Sequence, residues 1–293
     1  MADNLTIDAL LRRGAERLRA VPGRQSSPTA RTDPGGDSPH LDVELILAHA
    51  LSMSRTQLKT HPELVPAPDR IRHFLELMER RAAGEPVAYI LGYRDFWTLR
   101  LAVTPAVLVP RPETELLVER ALTLGGLRAE QVADLGTGSG AIALALASER
   151  PEWHVTATDI SEDALAVART NARALGLGRV DFLQGRWFEP LAARHFDLIA
   201  SNPPYVSDTD AALQDLRYEP SSALTAGPDG MSSLREIIRT APAHLRPGGR
   251  LLLEHGFAQA EAVSRELVVR GFAHVRSHRD LAGHERVTEA QWI

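Results

Sequence analysis

Residues 131–140 read Gln131-Val132-Ala133-Asp134-Leu135-Gly136-Thr137-Gly138-Ser139-Gly140, and the apolar run AIALALAS follows at 141–148. This stretch decides the fold. A short apolar strand pattern enters a glycine turn, and a helix pattern begins with no spacer. Strand, glycine turn and helix together hold nucleotide-like ligands, because residues without a Cβ let the ligand come close to the backbone. A dinucleotide fingerprint puts its third glycine five positions after the first. Here that position is Ala141, and Gly140 stands at four. Alanine is tolerated there, so spacing alone leaves the ligand open. Charge favours a cationic one: Asp134, expected at the mouth of the strand, would repel a pyrophosphate but not the ammonium and sulfonium of S-adenosylmethionine.

Working outward, the chain alternates. Strand patterns at 131–135, 154–158, 179–184, 196–200 and 249–254 are interleaved with helix patterns at 140–149, 161–175, 231–244 and 258–270. Two last strands are expected at 272–278 and 285–292. This is an α/β pattern, a mostly parallel twisted sheet with helices on both faces, the Rossmann-like architecture. Upstream, a helix starts near Pro112 and carries Leu116, Leu117, Ala121 and Leu124 on one side. Residues 89–110 are rich in aromatic and β-branched residues, with Phe96, Trp97, Leu99, Leu101 and Val103 alternating, which predicts a hairpin. Before that, Ile71, Phe74, Leu75, Met78 and Ala82 fall at helical spacing. Ser38-Pro39 opens a second helix as cap and first helical residue, and residues 5–20 form a third. Residues 21–40 are crowded with Pro, Gly, Ser and Asp and read as a mobile loop. The expected division is a small N-terminal helical domain at 1–86, a hairpin linker at 87–110 and a ligand-binding domain at 111–293.

Composition narrows the class. With 44% hydrophobic and 24% charged residues among 293, the chain has the balance of an ordinary globular protein. It contains no cysteine, which excludes disulfides, thiolate metal sites and thiol nucleophiles. The histidines show no metal-binding spacing, so no metal is expected. Residues 1–86 balance 12 basic against 12 acidic residues, and the net charge of the whole is −5, so no cationic footprint for nucleic acid is present. The N-terminus lacks the basic-then-apolar layout of a secretory signal and no apolar run spans a bilayer, which predicts a cytoplasmic protein with no membrane partner.

Two further positions belong with the glycine turn. Asp159, at the end of the second strand and 23 residues after Gly136, is placed to accept ribose hydroxyls; capping of the helix after Ser161 is the alternative. Trp187, in Gln184-Gly185-Arg186-Trp187-Phe188, could lie against adenine or serve as a core aromatic. The fourth strand ends in Ser201-Asn202-Pro203-Pro204-Tyr205. Residues just past the carboxyl ends of parallel strands face the ligand crevice. The two prolines fix their own φ angles and restrict their predecessors, so the Asn202 carboxamide is held stiffly. An amide or exocyclic amine nitrogen is a poor nucleophile, because its lone pair is delocalised. If the Asn202 side-chain oxygen and the Pro203 carbonyl each accept one N–H, the nitrogen can pyramidalise toward a methyl donor. Tyr205 would offer a flat wall to a planar group. Glu254 and His255, at the end of a later strand, read as strand-end packing or solvation.

These motifs resemble the HemK-type release factor glutamine methyltransferases. The resemblance rests on LDVELILAHAL, GEPVAYILGYRDFW, LVPRPETELLVE, DLGTGSGAIALALASERP, SNPPY, RYEPSSAL, LLLEHG and GHERV, which run through most of the chain. It implies a helical substrate-recognition domain, a hairpin linker and a class I methyltransferase domain. It implies methyl transfer from S-adenosylmethionine to N5 of the glutamine in the Gly-Gly-Gln motif of class 1 peptide chain release factors, in translation termination. The family roles fall on Gly136, Thr137, Gly138, Ser139, Gly140, Asp159, Trp187 and Asn202 for the cofactor, and on Asn202, Pro203, Pro204 and Tyr205 for the substrate, with Asn202 catalytic. Arg111 and Glu115 match the pattern without a derivable role, a junction salt bridge being the plain alternative. Arg186 stands where relatives often carry an acidic residue, and the insertion at 21–40 is longer than the pattern. Other readings are a glutamine methyltransferase of a ribosomal protein, a nucleic-acid amino-methyltransferase and a non-catalytic cofactor-binding protein.

Overall fold

A computed structural model describes residues 5–21, 38–126 and 130–293. The chain divides into two compact units. One comprises the chain up to Tyr93 with Gln214–Tyr218, the other Arg94–Leu213 and Glu219–Ile293. One boundary, between Tyr93 and Arg94, lies within residues 87–110, while Gln214–Tyr218, from the stretch expected as the ligand-binding domain, group with the first unit.

In the first unit, α1 (Ile7–Arg19), α2 (Pro39–Leu51), α3 (Arg55–Thr60), α4 (Pro68–Ala82) and α5 (Val87–Leu91) pack around Ile7, Leu10, Leu18, Ile46, Leu47, Phe74 and Met78. The starts are written in the sequence. Thr6 and Ser38 accept backbone N–H bonds at the first turns of α1 and α2, and Pro39 occupies the first helical position. Ser54 and Gln57 form a reciprocal capping box that starts α3. Most of the expected loop, residues 22–37, lies outside the described residues. The short α3 and α5 are additions to the expected elements.

The second unit opens with a hairpin of β1 (Tyr93–Phe96) and β2 (Leu99–Ala102), followed by α6 (Glu113–Leu124), β3 (Gln131–Leu135), α7 (Ala141–Glu149), β4 (His154–Asp159), α8 (Glu162–Ala174), β5 (Asp181–Gln184) and β6 (Phe196–Ser201). It continues through α9 (Ser232–Thr240), β7 (Leu245–Glu254), α10 (Ala260–Arg270), β8 (Ala273–Arg279) and β9 (Glu285–Gln291). The seven-stranded sheet has the order β5-β4-β3-β6-β7-β9-β8, with β9 antiparallel to both its neighbours and the other pairings parallel. The order reverses beside β3, where a ligand crevice is expected beyond the carboxyl ends of β3 and β6. No helix among the described residues is long and apolar enough to cross a membrane.

Strand periodicity divides the buried apolar side chains of the central strands between two cores. Val132, Leu198, Ala200 and Leu252 point to the face covered by α6 and α7, through Leu117, Val118, Leu144 and others. Ala133, Ile199, Leu251 and Leu253 point to the opposite face, covered by α9 and α10. Asp134 and Glu254 have the parity of the first set, as does Asn202 just past β6. All three are therefore directed toward the α6–α7 face.

Candidate active site

At the carboxyl end of the sheet lies a cavity of about 370 Å³, lined by residues of the second unit that include Gly136, Thr137, Gly138, Ser139, Asp159, Ile160, Trp187, Asn202 and Pro204. Its size suits a small-molecule ligand. Most of the positions singled out in the sequence meet here. Gly140, Pro203 and Tyr205 are not among the lining residues.

The glycine turn is built for two different neighbours. Gly136 has φ +74°, and a Cβ there would come within 2.9 Å of the Trp187 ring. Gly140 has φ +85° and is the N-terminal cap of α7; a Cβ would meet Leu144 at 3.0 Å and Ala168 at 3.3 Å. Gly140 thus serves helix packing beneath the turn, while Gly136 admits the indole.

Asp134 corrects an expectation. It is not at the mouth of the strand but fully buried beneath the loop. The physical reason is strand parity: its neighbour Leu135 turns to the other face, and Asp134 turns under α7. Its Oδ2 accepts the Thr137 hydroxyl at 2.6 Å and the Ala143 N–H at 3.1 Å, so it fastens the turn to the first turn of the helix. Burial raises its pKa to about 7, against the lowering by those two bonds.

Asp159 faces the cavity and ties the loops together. One oxygen accepts the Gly138 N–H at 2.9 Å and the other the Ser161 N–H at 2.9 Å. The cap of α8 is Ser161, whose side chain accepts from Ala164. Burial raises the Asp159 pKa, and its backbone hydrogen bonds oppose the rise. A carboxylate oxygen has more than one acceptor direction, so both oxygens can still receive hydroxyl groups.

Trp187 adopts φ +47°. Its carbonyl accepts the Thr158 hydroxyl at 2.9 Å and its indole N–H donates to Glu236 at 3.2 Å. Glu236 also accepts Arg186, at 2.6 Å, and the Arg186 guanidinium stands 5.6 Å over the indole ring. The side chain of Arg186 is thereby engaged at the cavity rim, and Glu236, invisible to motif reading, organises it.

The turn after β6 is anchored on several sides. The Ser201 hydroxyl donates to the Leu135 carbonyl at 2.7 Å, joining the ends of β3 and β6. The Asn202 Nδ2 donates to Thr114 Oγ1 at 3.1 Å. That bond uses the amide's donor end and leaves Oδ1 available as an acceptor on a residue that lines the cavity. Tyr205 is partly buried against the α9–α10 core instead of forming a cavity wall, and burial raises its pKa. Its carbonyl accepts Gln259 Nε2 at 3.1 Å. The reason is again local geometry: after two prolines the chain has already turned away from the crevice.

The junction around Arg111 and Glu115 is tied by a salt bridge and a backbone bond. Arg111 pairs with Glu219, whose other oxygen accepts the Val109 N–H at 3.0 Å, and Glu115 accepts the Trp97 N–H at 2.8 Å. His255 is a fully buried, bonded core residue, with Nε2 at 2.8 Å from Thr288 Oγ1 and its pKa lowered by burial. Glu254 is different. It is buried, neither of its oxygens has a hydrogen-bond partner among the described residues, and burial raises its pKa to about 7. Thr114 was missed in the sequence, yet it sits three and four residues before Leu117 and Val118 and so shares their buried stripe on α6.

Known proteins match this layout. Residues 32–92 match the model of the PrmC N-terminal domain and residues 112–227 that of the methyltransferase small domain. The release factor glutamine methyltransferase of Aliivibrio fischeri is 43% identical over 99% of this chain and 99% of its own. The protein of the same name from Xylella fastidiosa is 51% identical over 85% of this chain and 91% of its own. A methyltransferase of Pyrococcus furiosus superposes with a TM-score of 0.51 at 21% identity, over 67% of this chain and 89% of that one, which shows the shared α/β fold. The chain belongs to the release factor glutamine methyltransferase family.

Proposed function

We propose that the protein transfers a methyl group from S-adenosylmethionine to N5 of a glutamine side chain, the glutamine of the Gly-Gly-Gln motif in class 1 peptide chain release factors. The observation that carries the reading is the Asn202 carboxamide of a cavity-lining residue, pinned through its NH2 by Thr114 so that its oxygen remains available as an acceptor. The cavity fits the cofactor chemically. Asp159 retains acceptor directions toward it, Trp187 offers an aromatic face, and the Gly136–Ser139 main chain lines it. Bound there, S-adenosylmethionine supplies an electrophilic methyl group on a sulfonium.

The chain's own residues do the rest. Asn202 Oδ1 accepts one N–H of the substrate carboxamide and the Pro203 carbonyl accepts the other, which turns the nitrogen lone pair out of conjugation and holds it in one direction. No strong base is needed before attack, because the nitrogen becomes acidic only once alkylated. Pro204 lines the cavity, and Tyr205 anchors the turn against the core. The helical unit serves recognition of the protein substrate, the division of labour the family relationship supports.

The test is to incubate the full chain with labelled S-adenosylmethionine and either a release factor or its Gln→Ala variant at the Gly-Gly-Gln motif. Label on the unaltered factor alone is the expected result. Label on both proteins, or transfer to nucleic acid instead, rejects the assignment; cofactor binding with no turnover makes the protein a non-catalytic binder.

A further inference from the structure

Glu254 ends β7 one position beyond the pairing of Ser201 with Leu253, which places it alongside Asn202 at the carboxyl edge of the sheet. It is 1% exposed, and by distance and angle neither oxygen completes a hydrogen bond among the described residues, although the Thr114 hydroxyl lies close enough to lower its pKa as a donor would. Burying a carboxyl without a donor is costly, so its presence needs a reason. The group beside it is Thr114, 4% exposed, the same hydroxyl that accepts the Asn202 amide. Facing the carboxyl from the surrounding elements are Glu113 on α6, Arg111 ahead of α6, Arg286 on β9 and Tyr205 after β6.

Resting on the proposed reaction, we infer that Thr114 and Glu254 are positioning residues that set the orientation and acceptor strength of the Asn202 carboxamide. A hydroxyl has one proton and two lone pairs. Thr114 spends a lone pair on Asn202 Nδ2–H, and its own proton is directed to Glu254 when that group is a carboxylate. Successive bonds in one direction polarise each other, so the chain carboxylate, hydroxyl, amide leaves Oδ1 more negative where the substrate N–H arrives. When Glu254 is protonated it no longer draws on the Thr114 proton and can itself donate to the second lone pair of that oxygen, which reverses the polarisation reaching the amide. With burial raising its pKa to about 7, that exchange falls within the working range. Strand parity brings the three together: Asn202 and Glu254 both point to the face that α6 covers, and Thr114 is on the inward stripe of α6.

The experiment measures methylation of a release factor by the full chain between about pH 5.5 and 8.5. The wild type is expected to lose kcat as pH falls below about 7, and Glu254→Gln to lose that acid limb. Thr114→Val is expected to lower kcat at least about tenfold, with KM and S-adenosylhomocysteine affinity within about twofold, and Thr114→Ser to stay within about threefold of wild type. Wild-type kcat in Thr114→Val, or an unchanged acid limb in Glu254→Gln, overturns the inference. Should Thr114→Val fail to fold, the Glu254→Gln profile decides. If the wild type does not methylate release factors at all, the functional proposal falls separately. The inference is then decided by NMR of the Asn202 side-chain NH2: its signals should move with pH around 7 in the wild type and stay fixed in Glu254→Gln, and pH-independent wild-type signals overturn it.

Discussion

The two units differ in the buried acidic residues they leave incompletely paired. In the helical unit, Asp42 is buried and bonded to Arg81 at 2.8 Å, and Glu44 is buried and meets Arg55 at 2.6 Å, His40 at 3.2 Å and Lys59 at 3.3 Å. The sheet unit also pairs buried Glu219 with Arg111 and Glu289 with Arg120, but among the described residues Asp134 leaves one oxygen without a partner and Glu254 leaves both. A paired buried charge specifies packing and is costly only when broken. An incompletely paired one has its pKa displaced into the neutral range, the condition under which a side chain takes part in chemistry. The contrast separates a unit organised for shape from a unit organised around a reaction.

The sharpest way to break this contrast is Asn202→Ala. It is expected to lower kcat by about 10²-fold or more, because a reacting group loses its orientation. Cofactor affinity should stay within a few fold and thermal stability near wild type; a comparable loss of cofactor binding would mean that Asn202 belongs to the cofactor pocket and not to the substrate. Arg81→Leu is the converse. It removes the Arg81 bond to the buried Asp42 carboxylate and should destabilise the folded chain by about 3 kcal/mol, read by urea denaturation, while cofactor affinity is retained.

A subtler discrimination uses pH. The Glu44 pKa is lowered: burial raises it, and Arg55 and Lys59 more than offset that. Its stabilisation is therefore present above its unfolded value and is lost as pH falls through the folded one. Glu254 and Asp134 have folded pKa values of about 7, above their unfolded values, so their contribution is full in acid and is lost as pH rises from about 4 to about 7. Unfolding free energies of Glu44→Gln and Glu254→Gln against pH should consequently differ from wild type with opposite slopes, by on the order of 1–3 kcal/mol. Slopes of the same sign would erase the distinction between the units. The smallest effect is expected from Ser54→Ala, which removes the capping box of α3 and should cost about 1 kcal/mol with no change in kcat.

Much of this architecture was legible because the sheet unit writes its periodicities plainly. The run from Gln131 through Ser148 has the strand, turn and helix at the expected places, and Ser38-Pro39 marks the start of α2 as its residue types require. What escaped notice was short or three-dimensional. Helices α3 and α5 are only six and five residues long, too few for an apolar stripe to repeat. Strand β7 begins at Leu245, four residues before the expected start, because the Pro247-Gly248-Gly249 run reads as a break although the chain stays paired across a register shift. At the site, the residue types of the Asn-Pro-Pro-Tyr turn announced a rigid carboxamide but could not say that Tyr205 turns into the core. Thr114 carried no motif. Its place follows from two periodicities meeting, that of a helix and that of a strand, and a single sequence displays each without displaying their intersection.

The contact between Gly136 and Trp187 has a consequence for how such a protein can vary. The indole edge occupies the space that any side chain at 136 would need, and the +74° torsion there already disfavours anything but glycine. Enlarging position 136 is therefore tolerable only with a smaller ring or none at 187, so substitutions at the two positions should be inherited together. Each locks the other against drift, and a cavity wall made of main chain is preserved by the bulk of its aromatic neighbour.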